Sequence, residues 1–188
     1  MKPQAIIDDL CVTLDGVVPK SSWGETALFY NPGRTLPSGV YFCTFKERDG
    51  ENDRASALSR EGVFRVSIGV STATYVERFG PRPARPAKGG VVDTGHDFAA
   101  PDVLTPHPVY AWMGWVQILS PTASSYAQIR PLIEEAHRLA VAKFGARQRR
   151  SARSAATGQW CSGLWTGQRL TSATTAVIAP RLGFVVNV

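Results

Sequence analysis

All acidic residues of this 188-residue chain lie before position 136. Residues 1–146 carry 15 acidic and 15 basic side chains and have no net charge, whereas the last 42 residues carry six arginines and no acid. These last residues are also rich in Ser, Thr, Ala and Gly and lack regular apolar spacing. The change in composition predicts one domain over residues 1–147 and a basic, poorly ordered extension over residues 148–188.

Apolar spacing within the domain predicts three helices and four strands in the order α-β-β-β-α-β-α. The predicted helices cover residues 3–14, 71–79 and 121–144, and the predicted strands cover 27–31, 40–47, 63–70 and 112–119. Short connections between the strands favour antiparallel pairing with the helices packed on one face. We therefore predict an α+β fold of two layers, with an antiparallel sheet of about four or more strands.

Several classes of protein are excluded or disfavoured. The first residues lack the apolar stretch of a secretory signal, and no run of about 18 apolar residues predicts a membrane span. The three cysteines, Cys11, Cys43 and Cys161, are odd in number and lack CxxC spacing, which indicates free thiols in the cytoplasm. Phosphate-binding, dinucleotide and zinc-protease motifs are missing, so we predict neither a cofactor nor a metal.

Polar and aromatic residues in several segments are candidates for binding a small molecule. The stretch after the second strand crowds hydrogen-bonding groups at a strand end, where ligand contacts are common. An indole beside a glycine, as at Trp112 and Gly114 on one face of the predicted last strand, makes a flat platform for a planar ligand. The candidates are Trp23, Lys46, Asn52, Asp53, Arg65, Lys88, His107, Tyr110 and Trp112.

A second hypothesis is a small enzyme that uses acid–base chemistry. No regular element is predicted for residues 81–106, and a long loop of this kind is often functional. It contains Asp93, His96 and Asp97, and His107 follows it between two prolines. Either imidazole paired with either carboxylate would supply a general acid and base.

A third hypothesis is nucleic-acid binding through the C-terminal arginines alone. Its candidate residues are Arg147, Arg149, Arg150 and Arg153. The neutral charge of residues 1–146 argues against it, because non-specific binding requires neutralisation of phosphates.

The chain resembles the YjbR-like, or MmcQ-like, superfamily in three features. These are the N-terminal helix, Trp23-Gly24 followed by a strand, and Gly114-Trp115-Val116 before a final helix. Three stretches also resemble a more specific family of uncharacterised bacterial proteins over residues 1–147: Gly50-Glu51-Asn52-Asp53-Arg54-Ala55-Ser56, Gly62-Val63-Phe64-Arg65 and Pro106-His107-Pro108-Val109-Tyr110. The superfamily resemblance implies an antiparallel sheet and a DNA-binding role, and it implies no residue-level catalytic roles.

The sequence as a whole predicts a small cytoplasmic domain that binds a small molecule without demonstrated catalysis. The acid–base enzyme and the DNA-binding protein are the alternatives. The sequence indicates no membrane partner and no particular oligomeric state.

Overall fold

A computed structural model describes residues 1–22 and 24–159, of which residues 154–159 are described by backbone alone. The chain divides into two compact units, Met1–Ala152 and Arg153–Val188. Of the second unit, only the first residues are described, so most of the predicted extension lies outside the described residues. No helix among the described residues is long and apolar enough to cross a membrane.

One antiparallel sheet of six strands organises the first unit. The strands lie in the spatial order β1-β2-β3-β4-β6-β5, and every pair of neighbours is antiparallel. Together with the helices this gives the α+β class that the sequence predicts. The elements are α1 (Pro3–Thr13), β1 (Val17–Ser22), β2 (Glu25–Tyr30), β3 (Val40–Lys46), β4 (Arg65–Gly69), α2 (Thr72–Phe79), β5 (Thr105–Pro106), β6 (Trp115–Leu119) and α3 (Ala123–Gln159), with 3₁₀ turns at Pro32–Arg34 and Ala111–Met113.

The two faces of the sheet differ in chemistry because side chains alternate along each strand. One face, here called the helix face, carries apolar residues such as Val66, Ile68 and Ile118, which are at most 2% exposed. These residues belong to one continuous apolar core with α1 and α3. The alternate residues, Arg65, Ser67 and Gln117, lie on the opposite face, called the loop face. Residues 47–64 and 80–104 contribute hydrogen bonds to this face and cover it.

Two strands are absent from the predicted order, which has to be corrected. β1 contains Pro19, which cannot donate a ladder hydrogen bond, and an edge strand is where a sheet tolerates proline. β5 has only two residues, which is too short for any periodic pattern. The prediction that residues 81–106 form no regular element is wrong at its end, where Thr105–Pro106 form β5, and residues 81–104 contain no helix or strand.

The predicted strand over residues 112–119 begins too early. Ala111–Met113 is a 3₁₀ turn that ends at Gly114, and β6 starts only at Trp115. Trp112 and Gly114 therefore do not share a strand face. Gly114 has a φ of +83°, a left-handed conformation that cannot continue an extended strand.

The last helix also differs from its prediction, which ended at Gly145. α3 continues through Gly145 to Gln159, and residues 148–159 are therefore helical. A glycine inside a helix costs only about 1 kcal/mol relative to alanine, and the Ala, Arg and Gln residues that follow are strong helix formers.

Replacing Gly114 by alanine should lower the free energy of unfolding by about 2–3 kcal/mol. The left-handed conformation costs a residue with a Cβ about 1–2 kcal/mol, and this Cβ would lie 3.2 Å from the carbonyl oxygen of Val70. Gly62→Ala is the matched control, because Gly62 has a φ of +71° but no atom within 4 Å of its Cβ position. Urea unfolding should show the larger loss for Gly114→Ala; equal losses would contradict the prediction.

Candidate functional site

Polar residues are buried on the loop face of the sheet. Of the eight buried polar or charged side chains in the described part of the chain, only Asn31 lies elsewhere. Three of them, Ser67, Gln117 and Thr105, are paired neighbours on β4, β6 and β5 and form a polar row across the sheet. The other four are Thr44, Ser56, Arg65 and His107. A polar layer under covering loops is the most distinctive feature of this fold.

An ion-pair triad holds one end of this layer together. Arg65 donates from Nη1 to Asp53 Oδ1 at 2.9 Å and from Nη2 to Asp53 Oδ2 at 2.6 Å. Lys46 Nζ donates to the same Oδ2 at 2.7 Å. Lys46 and Arg65 are paired neighbours on β3 and β4, so the strand register sets the two cations side by side. The triad carries two positive charges and one negative charge.

The loop that supplies Asp53 is ordered by a second carboxylate. Asp49 accepts hydrogen bonds from the backbone N–H of Leu58 at 2.9 Å and of Ser59 at 3.2 Å. The loop also provides Ser56, whose hydroxyl donates to Gln117 Oε1 at 3.0 Å. Gln117 Nε2 in turn donates to the carbonyl of Phe98 at 3.1 Å, which fastens the second covering loop.

The environment of Asp53 keeps this carboxyl ionised. Burial by itself would raise its pKa, but hydrogen bonds and charge from Arg65, with a further contribution from Lys46, outweigh burial. The pKa of Asp53 is therefore held well below its usual range. Asp53 therefore carries its negative charge at neutral pH.

His107 lies within the electrostatic reach of this triad and is neutral. Burial lowers the pKa of the imidazole well below its usual value, the positive charges of Arg65 and Lys46 lower it further, and Asp53 opposes them. Nδ1 accepts from the backbone N–H groups of Val109 at 3.1 Å and Tyr110 at 3.2 Å. The neutral ring must therefore carry its proton on Nε2.

Several donors of the layer lack partners inside the described part of the chain. His107 donates from Nε2 to no described residue, and the residue as a whole is only 2% exposed. Arg65 Nε, Ser67 Oγ and Thr105 Oγ1 are buried without a partner. Such groups cost roughly 1–3 kcal/mol each when unsatisfied, so each of them is a ready hydrogen-bonding partner for a water molecule or a ligand.

The triad and three neighbouring side chains of the layer are here called the polar cluster: Lys46, Asp53, Ser56, Arg65, His107 and Gln117. Its net charge is +1, because His107 is neutral and Asp53 balances one of two cations. Lys46 uses one of its three N–H donors on Asp53, and His107 offers one N–H. An arrangement of this kind favours a small anion, because excess positive charge and free donors coincide in a partly desolvated place.

The structure brings five of the predicted ligand-binding residues together. Lys46, Asp53, Arg65 and His107 belong to the polar cluster, and the ring of Tyr110 lies 5.0 Å from that of His107. Burial raises the pKa of the Tyr110 hydroxyl, and the charge of Asp53 raises it further. These residues come from β3, β4 and two separate loops, so only the folded chain makes them neighbours.

The other ligand-binding candidates are not part of this cluster. Trp112 donates from Nε1 to the carbonyl of Val109 at 3.1 Å, and the Arg85 guanidinium lies 4.8 Å from its ring centre. Lys88 and Asn52 are exposed on the covering loops. Trp23 lies outside the described residues.

The histidines and aspartates of the acid–base hypothesis are not hydrogen-bonded to each other in the described part of the chain. His96 is exposed, with Nδ1 at 3.1 Å from Thr94 Oγ1, and Asp97 accepts from the backbone N–H of Ala99 at 2.9 Å. Among the described residues, no hydrogen bond or ion pair joins His96 or His107 to Asp93 or Asp97. The carboxylate whose charge acts on His107 is Asp53.

The candidate arginines for nucleic acid lie on the continuation of α3. Arg147 donates from Nη1 to the carbonyl of Gly39 at 2.8 Å, which ties this side chain to the turn before β3. Arg149, Arg150 and Arg153 are exposed. The described residues, 1–22 and 24–159, contain no group of three or more His, Cys, Asp or Glu side chains that could hold a metal ion.

Sequence reasoning missed the polar row and Ser56. The signal for Gln117 is present, because a glutamine between two apolar strand residues needs a partner if its face is covered. Ser67 has the same position in the alternating strand β4. Their burial depends on the loops that fold over them, which no local pattern predicts.

The fold and the cluster define an α+β domain in which long loops enclose a charged, partly unsatisfied polar layer on one face of an antiparallel sheet. The chain belongs to a family of unknown function, DUF6194, whose model matches residues 1–150. No curated protein and no solved structure matches the chain at a significant level.

Proposed function

We propose that this domain is a small-molecule-binding module and that the polar cluster receives an anionic group of the ligand. The observation that carries the proposal is a triad with one excess positive charge beside two N–H groups that donate to no described residue, the buried Nε–H of Arg65 and the Nε2–H of His107. A carboxylate or phosphate oxygen would accept from these N–H groups and from the free donors of Lys46. It would also balance the charge that Asp53 leaves unbalanced.

The cluster supports binding better than it supports acid–base catalysis. A general base must titrate near the working pH, and burial keeps the His107 imidazole neutral while its Nδ1 is engaged by two backbone donors. Asp53 is fully engaged with two cations and is a poor proton acceptor. Both groups therefore act as fixed hydrogen-bonding and electrostatic elements.

Lys46→Gln tests the proposal, because it removes the excess charge and keeps a hydrogen-bond donor near Asp53. Benzoate and phenyl phosphate are the probes, measured with the full chain by calorimetry and by the shift of the thermal midpoint. At least one probe should bind the wild type, and Lys46→Gln should weaken that binding tenfold or more, about 1.4 kcal/mol. Lys143→Gln, an exposed lysine on α3, is the matched control and should bind normally.

Two results would overturn the proposal. One is that neither probe binds the wild type at millimolar concentration. The other is that Lys46→Gln and Lys143→Gln bind as the wild type does. A duplex oligonucleotide serves as a third probe, since salt-dependent binding through Arg149 and Arg150 would instead favour the DNA-binding role implied by the YjbR-like resemblance.

A further inference from the structure

A row of aromatic rings lies on the loop face next to the polar cluster. Phe29 and Tyr41 are paired neighbours on β2 and β3, with ring centres 5.8 Å apart. Tyr41 stacks on Trp115 of β6, with ring centres 5.4 Å apart and planes at 26°. Phe29, Tyr41 and Trp115, the aromatic row, thus extend over four strands.

Gly69 makes this arrangement possible. Gly69 pairs with Trp115 across β4 and β6, and a Cβ on Gly69 would lie 3.2 Å from the indole atoms Cε2 and Cζ2. The indole therefore lies directly over the bare backbone of β4 and reaches Tyr41 on the next strand. An indole beside a glycine was the platform that the sequence suggested at Trp112, and the fold builds it from Trp115 instead.

The aromatic row adjoins the polar cluster through His107. The backbone N–H of His107 donates to the carbonyl of Trp115 at 2.9 Å, so these residues are neighbours across the sheet edge. Ser67 and Gln117 lie two residues along their strands from Gly69 and Trp115, about 7 Å away. The aromatic row and the polar row are therefore adjacent along β4 and β6.

Two tyrosine rings beside the cluster are exposed to solvent, whereas Phe29 and Trp115 are partly buried and the cluster itself is mostly buried. Tyr41 is 49% exposed and Tyr110, which contacts His107, is 47% exposed, whereas the side chains of Lys46 and Asp53 are 12% and 13% exposed. A ligand could therefore lay a flat group against Tyr41 and Trp115 while a charged group extends toward Lys46 and His107.

We propose that the ligand is a planar aromatic acid, with its ring against the Tyr41–Trp115 stack and its acid group at Lys46 and His107 Nε2. This inference rests on the proposed function and adds the ring to it. A flat π surface is complementary to stacked aromatic side chains, and a saturated ring of similar size is not.

Binding of 2-naphthoate and of cyclohexanecarboxylate to the full chain, measured by calorimetry, tests this inference. The wild type should bind 2-naphthoate at least tenfold more tightly than cyclohexanecarboxylate. Trp115→Leu and Tyr41→Leu should each reduce this preference to threefold or less. Trp112→Leu, which removes a half-buried indole outside the row, is the matched control and should keep the preference.

The possible results separate the ring from the charge. If both acids bind equally and Lys46→Gln weakens both, the planar-ring inference is wrong and the anion site stands. If 2-naphthoate binds more tightly but Trp115→Leu and Tyr41→Leu have no effect, the aromatic row is not the platform. If neither acid binds, the planar-ring inference is wrong, and the result with benzoate and phenyl phosphate decides separately whether the anion site stands. Tyr41→Leu keeps the test decisive if Trp115→Leu fails to fold, because Tyr41 is half exposed.

Discussion

Asp53→Ala is expected to lower the free energy of unfolding by about 3–5 kcal/mol. The substitution leaves the Arg65 guanidinium, which is 1% exposed, and the Lys46 ammonium without their shared carboxylate. Removing one partner of a buried ion pair is strongly destabilising because the remaining charge is desolvated and unbalanced. Urea unfolding at neutral pH measures the loss, and Asp93→Ala, at an exposed carboxylate, should change stability by less than about 0.5 kcal/mol.

A second substitution distinguishes lost charge balance from lost packing. Adding Arg65→Met to Asp53→Ala removes one uncompensated cation and keeps an apolar chain of similar length. The double variant should therefore be more stable than Asp53→Ala alone, since residues in one ion pair are not additive. If the two losses simply add, the triad does not act through charge balance.

Lowering the pH from 7 to 5 should lower the free energy of unfolding of the wild type through the titration of His107. The folded-state pKa of His107 lies well below the unfolded value of about 6.5, so the unfolded chain binds a proton that the folded chain does not. Stability is therefore present above about pH 6.5 and is lost as the pH falls, by up to about 1.4 kcal/mol per pH unit. Asp53, whose pKa is lowered, stabilises the fold throughout this range. Its stabilising effect is lost mainly below about pH 4, the pKa of an aspartate in the unfolded chain.

His107→Gln isolates this effect, because it removes the titrating ring and keeps an oxygen that can accept from Val109 and Tyr110. Its free energy of unfolding should change little between pH 7 and pH 5, whatever its absolute stability. His96→Gln, at an exposed imidazole, should keep the wild-type slope. An unchanged slope in His107→Gln would mean that this ring is not buried in its neutral form.

The sequence predicts the parts of the fold that have clear periodicity. β3 and β4 appear as alternating or continuous apolar runs, and α1 and α2 begin at recognisable residues, Pro3 and the N-cap Ser71. The sequence does not predict β1, because its Pro19 is tolerated only at an exposed sheet edge. It places the start of β6 too early, because Gly114 turns the chain. In both places tertiary position decides the structure.

The sequence predicts individual residues of the candidate site but not their arrangement in space. Lys46, Asp53, Arg65 and His107 stand out individually as polar groups at strand ends or between prolines. Their assembly depends on strand register and on which loop crosses which face, and neither leaves a local signature. The same limit explains why Trp112 rather than Trp115 was expected to form the aromatic platform.

Two residues of β1 affect whether another strand can pair with this free edge of the sheet. Pro19 has no N–H to offer to an incoming strand, and Lys20 brings a charge that contacts the carbonyl of Pro37 at 3.2 Å. An open edge normally invites another chain to add itself and begin a growing stack. Pro19 and Lys20 therefore make this edge unfavourable for the addition of a further strand.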